Sequence, residues 1–250
     1  MTSTNKTRLY LWDVDGTLLD AGGAGRQAFH DAFVARYRVE APFRDESFTG
    51  RTDLAIFRGA AIRTLGREAL ADEEACFFRD YLAMLSANVQ TTATFRVMPG
   101  IESLLRAMTA RPDCRVGLCT GNLEAGAAIK LAKAGLQGFF GFGGFGSDHA
   151  DRAELTRLAI ERGRVGLTGE VETWVIGDSP HEHRAARANG VRVALVGTGW
   201  TPVEELQSLQ PDLFFESFAD WPAALDVLSS YREAPVVGTA DMAAAVQVVR

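Results

Sequence analysis

Hydrophobic and polar positions fall into two rhythms along this chain. In one, a short apolar run stops at a polar or glycine-rich break: LYLWDV (Leu9–Val14), RVGLCT (Arg115–Thr120), TWVIGD (Thr173–Asp178), VRVALVG (Val191–Gly197) and DLFFES (Asp212–Ser217). Runs this short with turn residues behind them predict buried strands. In the other, apolar residues recur every three or four positions, as in GRQAFHDAFVARY, AIFRGAAIRTLG and EEACFFRDYLAMLSANV, which predicts helices. That helical rhythm fills roughly residues 22–90 with no convincing strand. After VMPG, whose proline is placed to open the helix IESLLRAM, strands and helices alternate. The helices are LEAGAAIKLAKAG (stopped by Gly135), RAELTRLAIERG, EHRAARANG, VEELQSL and ADWPAALDVLSS. Alternation of this kind predicts an α/β fold, a parallel sheet with helices on both faces. The all-helical stretch follows the first strand directly and reads as an inserted cap. The boundaries are a core of 1–20 and 94–232, a cap of 21–93 and a tail of 233–250, with DLFFES as the edge strand.

Composition narrows the class. A chain of 250 residues that is 47% hydrophobic and 23% charged can bury a large core. Its net charge of -6 and lack of a basic stretch argue against a nucleic-acid partner. No apolar run approaches the roughly 18 residues of a membrane span. Cys76, Cys114 and Cys119 show no disulfide or zinc spacing, and MTSTNKTR carries no signal-peptide core. These features predict a reduced, cytoplasmic protein. Lysine occurs only at Lys6, Lys130 and Lys133, so arginine supplies most positive charge.

The strand ends carry the candidate chemistry, because ligands of doubly wound sheets sit beyond the carboxyl ends of the strands. Read in turn, those ends hold Asp13 and Asp15, then Thr120, Gly121 and Asn122, then Asp178 and Ser179. Three carboxylates on one edge repel unless a cation lies among them, and hard oxygen ligands suit Mg²⁺. One carboxylate can attack phosphorus, and another two residues on can serve the leaving group and then water.

DVDGTL, the threonine of LCTGN and GDSPHE resemble motifs one, two and four of the haloacid dehalogenase-like hydrolase superfamily. They stand in the family's order, and the match runs to about Ser230. The helical insert lies where phosphoglycolate phosphatases and their relatives carry a helical cap. The resemblance implies a Rossmann-like core, Asp13 as nucleophile and Asp15 as general acid/base. It implies Mg²⁺ held by the Asp13 and Asp178 side chains and the Asp15 carbonyl, with phosphate on Thr120, Gly121 and Asn122. The second aspartate separates this branch from the true dehalogenases and favours phosphoryl transfer. Two positions depart from the family pattern. No lysine lies in the stretch leading into motif four, where the family usually carries one, so Arg152 of SDHADRAEL is either the stand-in or a helix-surface arginine. Glu182 replaces a common aspartate, and either meets the metal through water or orients Arg152. In FTGRTD of the cap, Arg51 either contacts an anionic leaving group or pairs with Asp53 or Glu46.

Rival motifs are weaker. Gly23–Ala28 and Gly141–Gly146 fit G-x-G-x-x-A and G-x-G-x-x-G, but neither sits between a strand and a helix as a dinucleotide fingerprint must. They read as a lead into the cap, its hinge, and a glycine-rich strand. No GK[ST] follows them, and the glycine of DVDG comes too early for an EF-hand. His181 and His183 read as solvated, His30 as a helix residue and Cys119 as a buried strand residue. The expected function is Mg²⁺-dependent hydrolysis of a small phosphorylated metabolite. The alternatives are a β-phosphoglucomutase-type mutase and a non-catalytic phospho-ligand binding protein. The cap has no lysine for phosphonate cleavage, and the oligomeric state is open.

Overall fold

The computed structural model describes residues 6–40, 42–44 and 46–231, together with the backbone of 247–249. In chain order the elements begin with β1 (Thr7–Trp12), β2 (Leu19–Asp20), α1 (Ala24–Tyr37), α2 (Asp53–Leu65), α3 (Ala71–Thr91) and β3 (Arg96–Val97). They continue with α4 (Ile101–Thr109), β4 (Cys114–Thr120), α5 (Glu124–Ala134), β5 (Gly143–Phe145) and α6 (Arg152–Arg164). The rest are β6 (Val171–Gly177), α7 (Pro180–Ala188), β7 (Arg192–Val196), α8 (Val203–Ser208), β8 (Leu213–Phe215), α9 (Trp221–Ser230) and β9 (Gln247–Val249). Seven strands form one parallel sheet in the order β5-β4-β1-β6-β7-β8-β9. This is the parallel α/β sheet expected from the alternation, with the Rossmann-like core that the family resemblance implies.

Successive side chains of each strand point to opposite faces, so both faces must be apolar. Tyr10, Trp12, Trp174, Ile176, Ala194 and Val196 pack on one face with Ile101, Leu104 and Leu105 of α4 and Leu228 of α9. On the other face Leu9 and Leu11 meet Leu155 and Ala159 of α6, while Val175, Val193, Leu195 and Phe214 meet Ala186 of α7. β1 pairs with β4 on one side and β6 on the other, so the chain order reverses around β1. The crevice beyond its carboxyl end is therefore where such a sheet holds a ligand.

The helical stretch leaves and re-enters the core through one small antiparallel pair, Leu19↔Val97 and Asp20↔Arg96. Its three helices close over their own apolar cluster, in which Phe29 meets Phe77 edge-on at 4.9 Å and Phe57 stacks on Phe77 at 4.5 Å. Aromatic rings in such geometries gain beyond their buried area.

Two local expectations are corrected. DLFFES is not the edge strand, because residues 247–249 of the tail add β9 beside β8. The remainder of the 233–250 tail lies outside the described residues. Pro99 does not open α4, since Gly100 caps that helix with a left-handed φ of 78° and the first helical residue is Ile101. Among the described residues no helix is long and apolar enough to cross a membrane.

Candidate active site

β1 delivers Asp13 to the crevice and the chain turns sharply after it. Gly16 takes a φ of 81° directly against the Asp178 carboxyl, where any Cβ would overlap it. The Thr17 hydroxyl donates to Asp178 Oδ1 at 3.3 Å. The D-G-T sequence is thus the turn that lets one strand end face another. Gly199 approaches Asp178 from the loop after β7, again with no room for a side chain. Burial pushes the Asp13 carboxyl up to about 6 against the pull of Arg152. Burial, then Glu182 and Asp13, push Asp178 well above the carboxylate range.

Arg152 is no surface residue. It is the first residue of α6, 8% exposed, and its Nη2 donates to Asp13 Oδ1 at 2.9 Å and pairs with Glu182 at 2.5 Å. Burial would lower its pKa, but Glu182 and Asp13 more than offset that and hold the guanidinium charged. Glu182 lies in the first turn of α7 and completes a capping box with Ser179, accepting from its backbone N–H at 2.7 Å and its hydroxyl at 2.5 Å. Glu182 thus contacts Arg152 directly, as one of its two readings requires.

The end of β4 supplies a second polar group. Asn122 Nδ2 donates to Thr120 Oγ1 at 2.8 Å and to Asp15 Oδ2 at 2.9 Å. Lys130 of α5 reaches the same place, with Nζ 2.5 Å from Asp15 Oδ2 and 2.6 Å from Asn122 Oδ1. Asp53, at the start of α2, accepts from the Leu123 N–H at 2.9 Å and from the Tyr81 hydroxyl. Burial pushes its carboxyl up to about 6 against the opposing charge of Lys130.

The FTGRTD turn of the helical segment rests on this floor. Gly50 O accepts from Arg152 at 3.0 Å, Thr52 Oγ1 donates to Ala150 O at 2.8 Å, and Asp53 N donates to Gly121 O at 2.8 Å. Gly121 must be glycine because a Cβ would overlap the Arg51 carbonyl. Arg51 lines the cavity, but its guanidinium is engaged by the Glu46 carboxylate and, at 3.3 Å, the Ala55 carbonyl. Its ion-pair reading is therefore realised with Glu46, while Asp53 is buried elsewhere. The cavity holds about 560 Å³ and runs from Asp13, Asp15, Thr120 and Asp178 to Phe29, Phe48, Ile56 and Tyr81, with Trp200 also in its wall.

The donors fit a hard cation. Asp178 Oδ2 is buried without a hydrogen-bond partner, and two glycines keep side chains away from it. Among the described residues no three His, Cys, Asp or Glu side chains gather as a metal cluster. A cation here would take the Asp13 and Asp178 carboxylates with backbone and water oxygens, a hard oxygen set that fits Mg²⁺. His181 is half-buried, and burial with neighbouring arginines pushes it down to about 4. Burial likewise lowers His183. His30 pairs with Asp31 on α1. Burial raises the Cys119 thiol to about 11. Of the glycine runs, Gly23 caps α1 and GFGGFG contains β5.

A family model described as haloacid dehalogenase-like hydrolase matches residues 7–190. The chain belongs to this family. Solved structures of similar fold include a candidate β-phosphoglucomutase from Bacteroides vulgatus, at 20% identity and a TM-score of 0.66 over 91% of each chain. CbbY from Rhodobacter sphaeroides in complex with phosphate is 22% identical, TM-score 0.61, over 87% of this chain and 98% of that one. A predicted phosphoglycolate phosphatase from Haemophilus somnus is 18% identical, TM-score 0.60, over 89% and 99%. No curated protein matches the sequence.

For this haloacid dehalogenase-like hydrolase, strand ends alone missed Lys130, Asp53 and Tyr81. The signal for Lys130 was present, because it shares the buried face of α5 with Gly126, Ala127 and Leu131. A lone lysine on an apolar helix face is uncommon unless paired.

Proposed function

We propose that this hydrolase is a Mg²⁺-dependent phosphatase that cleaves a small phosphate monoester through phospho-Asp13. The observation that carries the reading is Asp13 at the cavity floor, ion-paired to Arg152 beside the unpartnered oxygen of Asp178. Asp13 attacks phosphorus, and the bond to the leaving oxygen breaks. Asp15, protonated at the start, gives that oxygen its proton, then takes one from the water that attacks phospho-Asp13, which releases inorganic phosphate and restores the Asp13 carboxylate and the protonated Asp15. Arg152, Thr120 and the backbone of Gly121 and Asn122 are assigned to the transferring oxygens, where fixed donors stabilise developing charge. Mg²⁺ on Asp13, Asp178 and the Asp15 carbonyl would supply the charge that lets two anions approach.

In this reading the three helices of 21–93 form a cap hinged at DAGGAG, and its residues choose the leaving group. The substrate in this reading is a small phosphorylated metabolite, phosphoglycolate-like or a sugar phosphate, and a cytoplasmic setting is part of the proposal, consistent with the unpaired Cys76, Cys114 and Cys119. A panel of phosphate esters assayed with and without Mg²⁺ tests the proposal. Phosphate release should need the metal and fall by about 10⁴-fold in Asp13→Asn. Full activity in that variant sinks the mechanism.

A further inference from the structure

Two buried cations stand in this site, and the proposed chemistry uses one of them. Arg152 is on the nucleophile. Lys130 touches neither Asp13 nor Asp178; its ammonium lies on Asp15 Oδ2 and Asn122 Oδ1, and its side chain is only 5% exposed. Burying an ammonium is costly, and an apolar side chain of similar volume would fill the same space at lower cost. Packing does not explain the charge.

We infer that Lys130 is a positioning residue for the acid/base carboxylate, an inference that rests on the phosphatase reading above. A carboxylate on a short side chain turns freely about its last torsion, which is broad, so outside contacts must fix it. Lys130 and Asn122 both donate to Oδ2 of Asp15. Oδ1 is then the oxygen left to the cavity that Asp15 lines. Asn122 is held in turn by Lys130 at its carbonyl and by Thr120 at its amide, so the clamp is tied to β4. Lys130 acts through Asp15 and touches no reacting atom. Its loss therefore harms the steps in which Asp15 moves a proton and spares the binding of phosphate.

The leaving group separates this role from a structural one. An alkyl phosphate needs a proton on its departing oxygen, whereas p-nitrophenolate leaves without one. Lys130→Met should lose about 10²-fold in kcat on an alkyl phosphate with KM within about twofold. On p-nitrophenyl phosphate it should show a rapid burst of one p-nitrophenolate per enzyme, followed by slow turnover as phospho-Asp13 waits for water. Lys130→Gln keeps a donor for Oδ2, should fall between the two, and carries the test if the methionine variant does not fold. In Lys130→Ala, added ethylammonium should restore part of the lost rate. Equal losses on both esters with no burst and no amine rescue would overturn the positioning role, as would unchanged kcat in active enzyme. Wild-type protein that releases phosphate from no ester of the panel would overturn the phosphatase reading and this inference with it.

Discussion

Asp13 and Asp15 lie two residues apart and are held from opposite sides of the site. Asp13 is gripped by Arg152, which is itself fixed by Glu182 on α7 and reaches the Gly50 carbonyl of the helical insert. Asp15 is gripped by Lys130 and Asn122, both downstream of β4. One side joins a carboxylate to the part of the fold expected to hold phosphate. The other joins a carboxylate to an amide and a second cation, with the buried Asp53 of the insert nearby. Two cations in one cavity thus need not share a role. In the proposed mechanism the guanidinium meets charge that develops on phosphorus, and the ammonium aims the acid/base carboxylate.

Breaking the Arg152 side should have the larger effect. Arg152→Met removes the cation between two buried carboxylates, and kcat/KM should fall by about 10³-fold in a steady-state assay. Arg152→Lys keeps charge but has no fork to reach both Asp13 and Gly50, so it should recover only part of the loss. Full recovery would show that the forked contact is incidental.

How much of this was legible follows from where each residue sits. Asp13, Thr120 and Asp178 end strands whose apolar runs stop abruptly, so pattern alone brought them to one edge, and the family motifs gave them roles. Arg152 could be named but not placed, because a residue opening a helix has no fixed direction in sequence; its burial depends on the insert turn packing above it. Lys130 lies on a helix, where a charge reads first as surface, and only its register with Ala127 and Leu131 says otherwise. Asp53 reads in sequence as no more than an ion-pair partner, because its contacts with Leu123 and Tyr81 cross from insert to core. The edge strand was misplaced because three residues of an alanine-rich tail carry too little pattern to compete with DLFFES.

A smaller effect probes the Lys130 side. The Asp53 carboxyl titrates near 6 in the folded protein and near 4 in an unfolded chain. As pH rises from about 4 to 6 the unfolded chain gives up this proton first, so the folded state loses stability over that window. The loss should be about 2 kcal/mol and absent in Asp53→Asn, read as the difference between the two in urea unfolding at several pH values. A wild-type profile parallel to that of the variant would contradict the buried, raised carboxyl.

The smallest effect belongs to Arg51. With its guanidinium committed to Glu46 and Ala55, Arg51→Ala should raise KM by less than about threefold for any ester and leave kcat alone. A selective loss of more than about tenfold for a substrate with an anionic leaving group would instead place Arg51 on that group.

The proposed chemistry depends on the phosphoryl group passing through Asp13, and that step can be trapped. Turnover is quenched in its first moments and treated with borohydride, which reduces an acyl phosphate to an alcohol, and the peptides are weighed. The peptide spanning LYLWDVDGTL should carry homoserine at position 13 when substrate was present, and not in its absence. Active enzyme with Asp13 unreduced, or with the label on Asp15 or Asp178, would contradict a phospho-Asp13 intermediate.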